Sequence, residues 1–191
     1  MNRAADIALA GLGLVIASPF IAAGAVATKL QDGGPVLYRQ KRVGKDAQEF
    51  ELLKLRTMIV GAEHQGAGFA VDKGDSRITR VGSLLRRTSI DELPQLWNVV
   101  RGEMSVIGPR PTLRYQVEKY DERQLHRLDV KPGITGWAQI HGRASLPWAE
   151  RIELDLWYVR HHDWKTDLLI LVRTPLALFG GTYRGERGGW R

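Results

Sequence analysis

Hydrophobic and polar positions alternate differently in successive parts of this chain, and each change of period marks a new element. Residues 7–28 hold no charged side chain. As a straight helix these 22 positions would reach about 33 Å, the thickness of a hydrocarbon core. Ser18-Pro19 interrupts them near the middle. Three readings compete here. Ala25-Val26-Ala27 resembles the cleavage site of a signal peptide, although the run is long and only Arg3 and Asp6 precede it. A spanning anchor would leave a basic domain on the cytoplasmic side. A helix broken at Pro19 would enter and leave by one face, with the Ser18 hydroxyl satisfying a backbone group that the proline frees.

Residues 36–55 predict an extended pair, Val36 to Gln40 and Phe50 to Leu55, joined by a turn at Gly44-Lys45-Asp46. Lys54 and Arg56 share a side if the second strand persists that far. Residues 64–76, rich in glycine and polar groups, predict a mobile loop. A short helix follows over 78–87, with Val81, Leu84 and Leu85 as its apolar side. The next has Leu93, Leu96 and Val100 at helical spacing and Gly102 as its stop. Residues 112–128 predict one amphipathic helix. Residues 132–143 are dense in turn residues yet carry Trp137, Gln139 and His141, a composition suited either to ligand contact or to a structural loop. Pro147 opens another helix with Trp148, Ile152, Leu156 and Val159 on one side. The apolar run from Leu168 to Phe179, with Trp, Tyr, Arg and Lys near it, suits either a helix in a membrane interface or a buried one. Residues 180–191 are Gly/Arg-rich and predict a disordered tail.

At 191 residues the chain has room for one domain with a real core. It has no cysteine, which excludes disulfides, thiolate-bound zinc and thiol catalysis. Its net charge is +7, and the excess lies entirely after residue 28, which favours anionic partners: nucleic acid, lipid headgroups or phosphorylated substrates. The five histidines show no zinc-like spacing, and no Walker A, GxGxxG or GxSxG motif occurs in a credible context.

Candidate chemistry concentrates in Arg86-Arg87-Thr88-Ser89-Ile90-Asp91-Glu92-Leu93-Pro94, followed by Gly108-Pro109-Arg110-Pro111. Ser89 and Glu92 have capping-box spacing, but Ser89 as N-cap would put Pro94 at a helical position that needs an N–H. Asp91 as N-cap places Pro94 in the first turn and Asp91 at the positive end of the helix dipole, which predicts an ionised carboxylate. Such a carboxylate among arginines suits a nucleophile or metal ligand that handles phosphates. A helix cap on a charged surface is the plain alternative.

In order along the chain, Ser18-Pro19, Gly34-Pro35-Val36, Gln40 to Gly44, Lys54-Leu55-Arg56-Thr57-Met58, Asp75 to Thr79, Leu85 to Leu96, Gly108 to Pro111 and Pro132 to Gln139 form a specific set. Together they resemble the bacterial sugar transferase family of small polyprenyl-phosphate phosphoglycosyl transferases, over roughly residues 2–175. The resemblance implies transfer of a sugar-1-phosphate from a UDP-sugar to undecaprenyl phosphate, with UMP released. It implies Asp91 and Glu92 as catalytic dyad and holders of Mg2+, or Mn2+ in its place, with Asp91 as nucleophile. Lys54, Arg56, Arg86, Arg110 and Gln139 become the candidate substrate-binding residues.

The implied fold is α+β and predominantly helical. It comprises an N-terminal re-entrant membrane helix over 1–30, broken at Ser18 and Pro19, and one catalytic domain over 31–179 with a β-hairpin and interfacial amphipathic helices. The tail over 180–191 departs from the family pattern. The implied location is the bacterial inner membrane, monotopic and facing the cytoplasm, with membrane lipid as partner and homodimerisation open. A basic nucleic-acid-binding module and a non-catalytic membrane scaffold are the alternatives. The first leaves the apolar N-terminus and the Asp-Glu pair without a purpose, so no nucleic acid partner is expected.

Overall fold

The computed structural model describes residues 2–66, 68, 71, 74–142 and 146–179; the expected tail over 180–191 lies outside the described residues, as does part of the loop expected over 64–76. Helix α1 runs unbroken over Arg3–Asp32, capped by the Asn2 side chain and closed by Gly33. The two segments expected on either side of Pro19 are thus one element here. Pro19 has no N–H for the Val15 carbonyl, and the Ser18 hydroxyl donates to that oxygen at 2.8 Å, so the ladder continues past the proline.

α1 is held at both ends by the domain that follows. Arg3 donates to the carbonyls of Val99 and Val100, and Asp6 accepts from the Ser105 hydroxyl and the Val106 N–H. At the other end Asp32 meets the Arg56 guanidinium through two bonds, at 2.5 and 2.6 Å. Between them Ala10 packs in a core cluster with Leu52, Val99 and Met104. One side of α1 is thus built into the domain, with Asp6, Ala10, Ala17, Gly24 and Thr28 buried. Its other side carries Val15, Phe20 and Leu30, which are 72%, 56% and 81% exposed.

The hairpin forms as expected: β1 (Leu37–Val43) and β2 (Glu49–Leu55) pair antiparallel, Tyr38 opposite Lys54. Helix α2 covers Arg80–Thr88 and α3 covers Gln95–Arg101, the latter ending at Gly102 in the left-handed region as its place in the sequence predicts. β3 (Ser105–Ile107) and β4 (Gly133–Thr135) form a second, parallel pair. Each has three residues, too few for an alternation to show.

The single helix expected over 112–128 is instead α4 (Arg114–Val117), α5 (Glu122–Leu125) and a 3-10 turn. Asp121 restarts the backbone: its carboxylate caps the Gln124 N–H at 2.7 Å while the Gln124 side chain accepts from the Asp121 N–H. Helix α6 (Trp137–Ile140) follows β4, then α7 (Trp148–His161) and α8 (Trp164–Phe179). α8 buries Ile170 and ties Asp167 to the Tyr158 hydroxyl at 2.7 Å. Trp164, Leu168, Val172 and Leu176, four residues apart in turn, are exposed on it.

Candidate active site

α2 ends at Ser89, a non-glycine residue at φ 56, and this turn swings the chain into a 3-10 turn over Ile90–Glu92. Asp91 is therefore inside a tight turn rather than the N-cap of α3, whose cap is Pro94. Leu93 and Pro94 are also helical, so the run to Arg101 is nearly continuous, and a short, frayed start replaces the strong dipole expected there. Asn98 then fastens α3 to the hairpin. It is fully buried, accepts from the Leu53 N–H at 3.1 Å and donates to the Glu51 carbonyl at 2.7 Å. That docking brings Lys54 of β2 against Glu92, Nζ to Oε1, at 2.9 Å.

Arg110 approaches the same carboxylate from the other side, one Nη 2.5 Å from Oε1 and the other 3.5 Å from Oε2. Glu92 is thus clasped between two cations. Burial pulls its carboxyl upward, but Arg110 and Lys54 outweigh that and hold it well below the usual carboxylate range. Asp91 differs. Its side chain, 7% exposed, makes no hydrogen bond or ion pair among the described residues. Burial pushes its carboxyl up to about 6, opposed by Lys54, Arg86 and Arg110 and reinforced by the neighbouring Glu92 charge. The expectation of a helix dipole favouring the ionised form gives way to desolvation, the larger effect here. One carboxylate anchors the cations; the other stands free beside them.

The remaining candidates divide. Arg86 joins the group: its Nε donates to the Thr57 hydroxyl at 2.8 Å and its charge acts on Asp91. Arg56 does not. β2 ends at Leu55, so the alternation that would align Lys54 with Arg56 stops. The Arg56 guanidinium is buried against Asp32 and the carbonyls of Pro35 and Met58. Its role is to fasten the end of α1. Gln139, 5% exposed, has neither amide atom paired among the described residues, and its Oε1 lies close to Gly136. Gly136 in turn abuts the Gly108 carbonyl, one end of the loop that carries Arg110. Ser18 and Pro19 remain in α1.

That loop is held with unusual thoroughness. Gly133 donates to the Pro109 carbonyl at 2.8 Å, Arg127 to that of Arg110 at 2.6 Å, Arg42 to that of Pro111 at 3.2 Å and Val43 to that of Thr112 at 2.9 Å. Arg127 also forms a buried ion pair with Asp155 at 2.6 Å. Neither Arg127, Asp155 nor Asn98 stands out in the sequence. Each is a common residue type in a helical stretch, and only the fold gives it a partner far along the chain.

A metal ion has fewer donors here than the dyad alone suggests. Among the described residues no cluster of three or more His, Asp or Glu side chains could enclose one. Mg2+ is commonly bound through one or two carboxylates together with substrate phosphates. The free Asp91 carboxylate fits that pattern; Glu92 fits only by releasing Lys54 or Arg110.

A buried carboxylate without a hydrogen-bond partner among the described residues thus sits in the field of Lys54, Arg86 and Arg110, on a turn whose Ile90 packs beside Gly24 of α1. Residues 1–181 match the bacterial sugar transferase family, and the chain belongs to it. It is 42% identical over 189 residues to the UDP-N-acetylgalactosamine-undecaprenyl-phosphate N-acetylgalactosaminephosphotransferase of Aeromonas hydrophila, covering 94% of this chain and 44% of that protein. Identity is 43% over 187 residues with the UDP-glucose:undecaprenyl-phosphate glucose-1-phosphate transferase of Escherichia coli (strain K12), 94% of this chain and 40% of the other. It is 41% over 174 residues with the uncharacterized sugar transferase EpsL of Bacillus subtilis (strain 168), 91% and 85% respectively. The chain therefore spans less than half the length of the first two relatives and most of the third.

Proposed function

We propose that this chain transfers a sugar-1-phosphate from a UDP-sugar to undecaprenyl phosphate and releases UMP. The observation that carries the reading is the division of labour in the dyad, Glu92 clasped by Lys54 and Arg110 with Asp91 left free. In the first step an ionised Asp91 oxygen attacks the phosphorus bearing the sugar. The new bond is carboxylate oxygen to phosphorus. The bond to the bridging oxygen breaks, and that oxygen leaves on UMP with the electron pair. In the second step an oxygen of the lipid phosphate attacks the same phosphorus and displaces Asp91, giving the lipid diphosphate sugar. Lys54, Arg86 and Arg110 face the charge that gathers as two anionic substrates meet. Gln139, whose two amide atoms are unpaired among the described residues, is read as a neutral contact for the donor substrate. Asp91 and the donor's phosphate oxygens would hold Mg2+, which withdraws charge from the phosphates and favours the ionised form of Asp91. Supplying undecaprenyl phosphate, Mg2+ and a panel of UDP-sugars tests the reading. UMP release with one of them is expected, and none with any would remove it.

α1 is read as embedded in the inner membrane from one face without crossing it, although it is unbroken at Pro19, with the domain on the cytoplasmic face. A helix of 30 residues reaches about 45 Å, yet Arg3 and Asp32 at its ends both bond to one domain. A spanning anchor would put the bilayer between those contacts. The exposed apolar sides of α1 and α8 are the surfaces left for lipid. Because the chain has no cysteine, single cysteines at positions 2 and 32 can be labelled directly. Both are expected to react from the cytoplasmic side only; periplasmic labelling at position 2 would establish a span.

A further inference from the structure

We infer that Arg127, braced by Asp155, is a positioning residue that sets the place of Arg110 and so the geometry of the dyad. The inference rests on the transferase reading above. Four successive carbonyls, from Pro109 to Thr112, are all taken: by Gly133 of β4, by Arg127, and by Arg42 and Val43 of β1. Three of the donors are the Gly133 N–H, the Val43 N–H and the guanidinium of Arg42, the last two from the hairpin. The fourth, at Arg110 itself, is a buried charge. Arg127 is 5% exposed and donates through Nη2 to the Arg110 carbonyl at 2.6 Å. Its Nη1 reaches the Tyr120 hydroxyl at 3.0 Å and the Thr112 hydroxyl at 3.3 Å, while Nε meets Asp155 at 2.6 Å.

The guanidinium thus joins α7, the segment between α4 and α5, and the arm that carries Arg110 through one rigid plane. A lysine could not hold that fork of contacts. Replacing such a buried pair with well-packed apolar residues is often neutral or better for stability, so retaining one is weak evidence of a stabilising role. Here the pair has a mechanical task. The Arg110 side chain must reach Glu92 from a backbone that cannot shift, because the same arginine fixes half of the cation clasp that leaves Asp91 free.

Two sets of variants test this. Arg127→Lys keeps the charge beside Asp155 and is expected to lower kcat about 10-fold with KM for the UDP-sugar changed less than about 3-fold. Introduced into an Arg110→Lys protein, the same change is expected to cost less than about 2-fold more, because its effect passes through Arg110. The paired change Arg127→Met with Asp155→Leu removes the buried charges together. It is expected to melt cooperatively near the wild-type Tm while losing about 10- to 100-fold in kcat. A multiplicative loss in the cycle, or full turnover by the paired variant, would make the pair structural and overturn the inference. A wild-type chain that releases no UMP from any UDP-sugar fails at an earlier point and removes the transferase reading together with this one.

Discussion

Asp91→Asn is expected to give a folded protein, more stable than the wild type at pH 7.5, that has lost at least about 1,000-fold in turnover. The two effects have one cause. The Asp91 carboxyl sits at about 6 in the fold because burial penalises its charge, against an ordinary value of 3.8. A raised value means the native state binds the proton more tightly than the unfolded chain. The penalty is therefore absent below about pH 4, grows as pH rises toward 6, and is complete above it. Its size is on the order of 1 to 3 kcal/mol, which asparagine avoids, for an increase of a few degrees in Tm. The same pH window governs activity with the opposite sense, since only the ionised carboxylate attacks: wild-type kcat/KM, which reports the free enzyme, should climb toward pH 6 and then level off.

With UDP-sugar and no lipid acceptor, the wild type is expected to release about one UMP per active site and to gain the mass of one sugar phosphate on the peptide carrying Asp91; the variant should do neither. Release that demands both substrates together would assign Asp91 to metal binding or general base work in a single step. A variant less stable than the wild type at pH 7.5 would mean that Asp91 is stabilised by contacts other than those the fold displays.

The parts of this site that sequence can reveal are those whose chemistry is local. Asp91 and Glu92 are adjacent, Arg86 precedes them, and the Gly-Pro-Arg-Pro run that follows marks Arg110. The hairpin and Gly102 follow from alternation and from the left-handed residue a helix end requires. What the pattern cannot carry is which carboxylate is clasped and which is free. That depends on Lys54 arriving from β2, an arrangement set by Asn98, 45 residues away from the backbone it reads. Arg56 misleads for a related reason, since it has the composition of a phosphate ligand but sits one residue past the strand end, where its side chain turns to Asp32. The stretch over 112–128 misleads through its periodicity, because Asp121 and Gln124 cap a restart that continuous helical spacing conceals. β3 and β4 are invisible at three residues each, although they form the platform from which Arg110 extends.

That platform accounts for the second large effect, expected at Gly133. A side-chain carbon there would lie 2.1 Å from the Gly108 nitrogen and 2.6 Å from its carbonyl oxygen, both rigid backbone. Gly133→Ala must therefore push β3 and β4 apart. The bonds at risk are those from Gly108 N to Thr135 O at 2.9 Å and from Gly133 N to Pro109 O at 2.8 Å. The second of these fixes the residue just before Arg110. Overpacking of this kind costs about 1 to 3 kcal/mol, and breaking buried backbone bonds adds to it, so a loss of about 3 kcal/mol or more is expected. Displacing Arg110 by even 1 Å is expected to lower kcat on the order of 100-fold in whatever fraction remains folded. Gly11→Ala supplies the contrast. Gly11 lies in α1 with nothing within 4 Å of the added carbon, and alanine there should raise stability by about 0.5 to 1 kcal/mol with turnover unchanged. Thermal melts and UMP release on the two proteins check both halves. Wild-type Tm and turnover in Gly133→Ala would show that the strands can separate without moving Arg110, and the clasp on Glu92 would then owe its position to the hairpin side alone.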